Sequence, residues 1–226
     1  MTKIWVTRTW PASDESAKAW RAAGFDPMVA PLLKIQPIPN SAPQVGDLLI
    51  FTSKNGIDHV ECERQRAICV GDATADHARK AGYRDVVSVD GTSKDVTDWV
   101  KANIKPPTAV CHISGWHVRG TIIEDLRDAG YLATRKIVYR SAPCPIWPEA
   151  PASQVALYSP LAARVFADLA TGGALSRLSA ICISQATADE LKGLQLNSIH
   201  IAKRPREDEL IMAAKNAVDP ALAVRG

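Results

Sequence analysis

One segment of this chain occurs twice, and that repetition limits the possible folds more than any other feature of the sequence. AICVGDATAD, beginning at Ala67, returns as AICISQATAD beginning at Ala180, 113 residues later and identical at seven of ten positions. Other landmarks recur in the same order at a spacing of 106 residues. Ser53 in LIFTSKNGI is matched by Ser159 in VALYSPLAA. Arg21-Ala22-Ala23-Gly24-Phe25 is matched by Arg127-Asp128-Ala129-Gly130-Tyr131, and the pair Pro37/Pro39 by Pro143/Pro145. Self-similarity of this length points to two copies of one supersecondary pattern.

Each copy reads as strands alternating with helices. Ile4–Thr7 is short and apolar, and Ser13 is placed to cap a helix reaching Ala23, with Gly24 ending it. Leu48–Thr52, Ala67–Val70 and Val86–Val89 have the Val/Ile-rich character of buried strands. Helices are expected over Asn55–Arg64, Ala73–Ala81 and Val96–Asn103. The second copy offers strands at Val110–Ile113, Gln154–Tyr158, Ala180–Ile183 and Ser198–Ala202. Its helices are expected at Val118–Ala129, Pro160–Ala170, Thr187–Leu194 and Asp208–Ala217. Apolar strands separated by helices imply parallel sheets covered on both faces. The fold class is therefore α/β, with two similar parallel-sheet domains arising by duplication. The proline-bearing stretches Lys34–Pro39 and Tyr139–Pro151 read as stiff, extended crossings between them.

Composition removes several functions. The 226 residues carry 27 Lys+Arg against 24 Asp+Glu, a net charge of only +3 with both signs interspersed, so no nucleic-acid surface is expected. No apolar run reaches about 18 residues, which argues against a membrane span. MTKIWVTRTW lacks the apolar core of a secretion signal, so a cytoplasmic protein is expected. The five cysteines form no CxxC pair and the five histidines no HExxH, so reduced thiols and no metal site are expected.

Ligands of parallel α/β units bind beyond the carboxyl ends of the strands, where helix N-termini point. Hydroxyls and small residues collect at those places: Thr52-Ser53, Gly71 to Thr74, Ser114-Gly115, Ser159, and Ser184 to Thr187, with Arg8 after the first strand. Each is a good helix cap, and as a set they suit an anion with many carboxylates or phosphates. The absence of GxGxxG and GxxxxGK[ST] disfavours a dinucleotide or nucleoside triphosphate, and the absence of GxSxG a serine hydrolase.

These motifs, in this order, resemble the uroporphyrinogen-III synthase family over nearly the whole chain. VTRTWP resembles the family's V-T-R-P opening, LIFTSKNG its strand-end T-S, and VGDATAD its V-G-x-x-T-A turn. ISGWHVRGTIIEDLRDAGY resembles G-x-x-x-R-x-x-L…L-x-x-x-G, and KIVYRSAP the V-Y that follows. YSPLAARVF and ISQATADEL resemble the second S-P and T-A turns, and RPREDELIMAA the closing P-T…L. The chain departs from the pattern at Thr9, Lys54, Ser184 and Arg206.

The resemblance implies two α/β domains, residues 1–36 with 143–226 and residues 37–142, joined by two extended strands with a cleft between them. It implies closure of hydroxymethylbilane, a linear tetrapyrrole, into uroporphyrinogen III, with inversion of the last pyrrole and loss of water. No cofactor and no metal are implied. Tyr139 is implied as proton donor to the departing hydroxyl, since a phenol stays protonated at neutral pH. Ser53, Thr74, Ser159 and Thr187 are implied as carboxylate-binding residues, with Arg119, Lys54 and Arg8 as further substrate contacts. A monomer is expected, in transient contact at most with the preceding enzyme of the pathway. The alternative class is a non-catalytic two-lobed binding or sensor protein for a polyanionic metabolite.

Overall fold

In the computed structural model, residues 1–39, 46–61, 65–118, 120–144, 147–148, 150–170 and 175–218 are described. The elements run β1 (Thr2–Val6), α1 (Ala12–Ala22), β2 (Phe25–Val29), β3 (Leu33–Pro37), β4 (Leu48–Phe51), α2 (Lys54–Ile57), β5 (Arg66–Cys69), α3 (Asp72–Lys80), β6 (Val86–Ser88) and α4 (Ser93–Asn103). They continue as β7 (Ala109–Gly115), α5 (Ile122–Asp128), β8 (Leu132–Pro143), β9 (Gln154–Leu157), α6 (Pro160–Leu169), β10 (Ser179–Cys182), α7 (Gln185–Asp189), β11 (Ser198–Ile201) and α8 (Glu207–Val218). Contacts divide the chain into a first unit, Met1–Lys34 with Ala142–Gly226, and a second, Ile35–Ser141.

The first unit holds a five-stranded sheet in the order β11-β10-β9-β1-β2, parallel at every pairing. Alternation along the strands separates two cores, one on each face. Trp5, Val155, Leu157, Ala180 and Cys182 point one way, against Phe166 of α6. Ile4, Val6, Ala156 and Ile181 point the other way, against Trp20 of α1 and Leu210 of α8. Burying each such large side chain contributes roughly 1.5–3 kcal/mol, and this drives the short apolar strands into one sheet.

The second unit holds six strands in the order β3-β8-β7-β4-β5-β6. The β8–β7–β4–β5–β6 pairings are parallel. The β3–β8 pair is antiparallel: Ile38 N–H donates to Val138 O, while Cys144 N–H donates to Leu32 O. Leu48, Ile50, Ile68 and Val110 face Val96, Val100 and Leu126. Leu49, Phe51, Cys69 and Cys111 face Ala75, Ala78 and Tyr83. With β1 set against β7, β2 against β8, β9 against β4, β10 against β5 and β11 against β6, the two sheets share one strand order.

Several local expectations change. Helix α1 is entered at Pro11, and Ser13 lies buried inside it with its N–H on Thr9 O. The fixed φ of proline favours helix entry two residues before the serine. Helix α5 starts at Ile122 rather than Val118, because Gly120 holds a φ of +90°, outside the helical region. Helix α2 is a single turn ending at Ile57, and α7 ends at Asp189. The strand β2, FDPMV, is additional; its proline is tolerated because β2 lies at the sheet edge. Of the crossings read as extended connections, β3 takes in the first as far as Pro37, and β8 takes in the second only from Tyr139 to Pro143. Pro145 of the second proline pair and Cys62 lie outside the described residues. No described helix is long and apolar enough to cross a membrane.

Candidate active site

Because the strands of each sheet run parallel, the turns that leave them gather at the carboxyl edge of that sheet. In the second unit this edge carries Ser53 after β4, Gly71 to Thr74 after β5, and Gly115 at the end of β7. Ser53 is the N-cap of α2, and its hydroxyl accepts from Asn55 N–H at 3.3 Å. Lys54 follows as the first residue of that helix, half-buried. Gly71 caps α3, and its carbonyl accepts from the N–H groups of both Thr74 and Ala75 at 3.0 Å. The first two amides of α3 have no acceptor within the helix. The Thr74 side chain is buried.

Tyr139 lies in β8, directly across from Gly115, where the β7–β8 register slips between Ser114 and Gly115. Its ring covers that glycine. A Cβ at position 115 would lie 2.6 Å from Tyr139 Cε2 and 2.7 Å from Cζ. Trp116 N–H donates to Tyr139 O at 2.8 Å, and the His59 ring centroid stands 6.1 Å from the tyrosine ring. The half-buried phenol is thus fixed through main chain and ring face together.

Two residues that sequence reasoning did not single out stiffen this edge. Arg135 donates from Nε to Ser114 Oγ at 2.8 Å, and from Nη2 to the carbonyls of Gly115 at 2.6 Å and Trp116 at 2.7 Å. His112, on β7, is buried and shares a 3.1 Å hydrogen bond with Thr52 Oγ1. Burial, reinforced by the nearby Arg135 cation, lowers its pKa to about 4, so the ring is neutral at pH 7. A lone histidine and a lone arginine in apolar strands give no signal in one sequence, because their partners arrive from other strands.

In the first unit, Ser159 caps α6, with its hydroxyl accepting from Ala162 N–H at 3.2 Å and Pro160 at the first helical position. Ser184 caps α7, and its hydroxyl lies 3.1 Å from that of Thr187, which is fully buried. Arg8 follows β1. It donates to Glu207 Oε2 at 2.8 Å and Ser16 Oγ at 3.1 Å, and its guanidinium lies 5.2 Å from the centre of the Tyr158 ring. Tyr158 in turn donates to Glu207 Oε1 at 2.9 Å and accepts from Trp20 Nε1 at 2.8 Å. Burial and the adjacent Glu207 carboxylate push this phenol well above its ordinary pKa. Arg8 is therefore held within a network rather than simply presented to solvent.

Within the second unit, then, Ser53, Lys54, Thr74 and Tyr139 belong to one sheet edge; within the first, Arg8, Ser159 and Thr187 do. Arg119 lies outside the described residues. Among the described residues no three His, Cys, Asp or Glu side chains cluster as a metal site requires. Burial raises the thiol pKa of Cys69 to about 11 and of Cys182 to about 12, which leaves both unreactive at pH 7. The edge of the second unit has hydroxyls, a cationic side chain, helix-end amides and one buttressed phenol, a set fitted to hold acid groups and deliver a proton.

Comparison with known proteins agrees in fold and family. A crystal structure of uroporphyrinogen-III synthetase from Helicobacter pylori 26695 is similar with a TM-score of 0.65 and 16% identity, over 96% of this chain and 100% of that one. A mutant uroporphyrinogen III synthase from the extremely thermophilic bacterium Thermus thermophilus is similar with a TM-score of 0.51 and 14% identity, over 97% and 100% of the two chains. At such identities the likeness is one of fold. No curated protein sequence matches the chain significantly. The family model described as uroporphyrinogen-III synthase HemD matches residues 14–212. That match spans both units, and the chain belongs to the uroporphyrinogen-III synthase family.

Proposed function

We propose that the protein is a cofactor-independent lyase that converts hydroxymethylbilane into uroporphyrinogen III and water. The family match across residues 14–212 carries this reading, and it favours an enzyme over a non-catalytic binding protein. Each domain, 1–36 with 143–226 and 37–142, contributes its own carboxylate-binding turns. Ser53 and Thr74 serve in one, Ser159 and Thr187 in the other, each acting with neighbouring helix-end amides on the substrate's acetate and propionate groups. The threonine side chains are buried, so their part is to shape the turn while the adjacent amides do the binding. Lys54, Arg8 and Arg119 are the cationic contacts in this reading.

The chemistry is mostly positional. The C–O bond of the hydroxymethyl group breaks, its electron pair stays on oxygen, and Tyr139 donates the proton that lets water depart. The pyrrole nitrogen lone pair spreads the resulting positive charge over its ring. The far pyrrole attacks through its substituted carbon to give a spiro intermediate, which rearranges and closes the ring inverted. The proton lost on closure returns to the phenolate, so acid and substrate balance. Holding the chain in this conformer also blocks direct closure to the type I isomer. The finer reading adds a cytoplasmic monomer, in transient contact at most with the enzyme that supplies its unstable substrate.

Freshly generated hydroxymethylbilane incubated with purified protein tests the proposal. Mostly type III isomer is expected; persistence of the type I product that forms without enzyme overturns it.

A further inference from the structure

Two tryptophans stand out against the rest. Trp5 and Trp20 are 1% and 0% exposed, and their indole N–H groups are bonded to Ala30 O and Tyr158 Oη. Trp10 and Trp116 are each 58% exposed. They lie 106 residues apart, the same spacing that relates Ser53 to Ser159. Trp10 comes just beyond the carboxyl end of β1 and Trp116 just beyond that of β7, and those strands hold the same place in the shared strand order. Each unit therefore presents an indole to solvent on the edge that carries its candidate binding turns; Trp147, 44% exposed, instead packs its ring against Trp5 and Phe166.

The main chain at Trp116 is not loose. Its N–H is bonded to Tyr139 O and its carbonyl to Arg135 Nη2, at 2.8 and 2.7 Å. This anchored backbone leaves a large flat side chain uncovered. A pyrrole is a flat, electron-rich ring, and aromatic pairs gain by edge-to-face or offset contact beyond the area they bury. Once the C–O bond has broken, the reacting pyrrole carries positive charge, and indole is the side chain that best attracts a cation to its face.

We propose that the indoles of Trp116 and Trp10 are pyrrole-contacting surfaces, each on the sheet edge of its own unit, with Trp116 serving the ring that becomes cationic. This rests on the synthase reading above. Trp116 directly follows the glycine that Tyr139 covers, so proton donor and cation-stabilising face stem from neighbouring points of the paired strands β7 and β8. Contact with a neutral pyrrole strengthens binding equally before and during reaction, whereas contact with the cation strengthens in the transition state alone. Trp116 therefore acts on kcat and Trp10 on KM.

The test uses the full-length protein and the variants Trp116→Ala, Trp116→Phe and Trp10→Ala. Trp116→Ala is expected to lower kcat at least fivefold, Trp116→Phe to restore most of it, and Trp10→Ala to raise KM at least threefold. Melting temperatures should stay within about 2 °C of wild type, as substitutions of exposed side chains do. Wild-type kinetics in both alanine variants overturns the proposal, as does a loss of activity that Phe leaves unrepaired or that follows a fall in melting temperature. Titration calorimetry with anaerobic uroporphyrinogen III separates this inference from the reading beneath it. If wild type binds the macrocycle without producing the type III isomer, and Trp10→Ala weakens binding at least threefold, the indole surface stands while the synthase reading fails. Wild-type protein that fails to bind the macrocycle, or affinity unchanged in Trp10→Ala, overturns the indole surface.

Discussion

The ring of Tyr139 rests on Gly115 so closely that no side chain can grow from that glycine without displacing it: a Cβ there would fall 2.6 Å from Cε2. The two residues are register partners across the slip between β7 and β8, so the contact is built into the sheet rather than into a loop. A phenol supported this way loses little freedom when it engages a substrate, which is what a positioned proton donor requires.

Gly115→Ala should push the Tyr139 ring off its seat. Overpacking of this kind costs about 1–3 kcal/mol, measurable by urea denaturation, and turnover should fall with it. An alanine variant of wild-type stability and full activity would show that the ring's place is not fixed by the glycine.

Tyr139→Phe keeps the ring and removes the proton. Turnover should slow by about 10-fold or more, as expected for losing a positioned proton donor, with the far-UV spectrum unchanged. Unaltered turnover returns Tyr139 to a packing role.

Ser53→Ala and Ser159→Ala each remove a hydroxyl that accepts from a helix amide. Each should cost about 1 kcal/mol of stability and raise KM for hydroxymethylbilane. A loss of stability with unchanged KM would restrict these serines to capping.

Tyr158→Phe strands the indole N–H of fully buried Trp20 and takes one partner from the Glu207 carboxylate, which keeps Arg8. The expected loss is about 1–3 kcal/mol by thermal or chemical denaturation. A value near zero would mean that the network relaxes at no cost.

His112 makes stability depend on pH. Its folded-state pKa of about 4 lies below the ordinary value of 6.5, so between these two values the unfolded chain binds the extra proton and the folded chain does not. Stability from this group is complete above pH 6.5 and drains away as pH falls towards 4, by roughly 3 kcal/mol in all. Denaturation curves from pH 7.5 to 4 should show the loss, and His112→Gln should flatten that slope. A variant with the wild-type slope assigns the effect to other groups.

The alternation of strand and helix was legible because it rests on local patterning: Leu48–Phe51, Ser179–Cys182 and Pro160–Leu169 all form close to where their composition predicts. Departures came where a single backbone requirement outweighed the pattern, as with Pro11 moving the entry to α1 and Gly120 delaying α5. The edge strand β2 was hidden by Pro27. At the candidate site, Ser53 and Ser159 were visible because a cap bonds an amide two or three residues away. The Arg8–Glu207 pair, 199 residues apart in sequence, and the Trp20–Tyr158 bond, 138 apart, were not. Such partners are chosen by strand order, which one sequence does not display.

The division of the chain into units has a consequence for biosynthesis. Residues 35–141 form one uninterrupted stretch, while the other unit draws on both ends of the polypeptide. In its sheet β1 is flanked by β2 and β9, and β9 begins at Gln154. A ribosome releases the amino end first, so β1 with its apolar residues Ile4, Trp5 and Val6 must wait, half-paired, until more than a hundred further residues have emerged. The inserted unit can fold meanwhile, and the nascent amino-terminal segment is the stretch most in need of shielding by a chaperone.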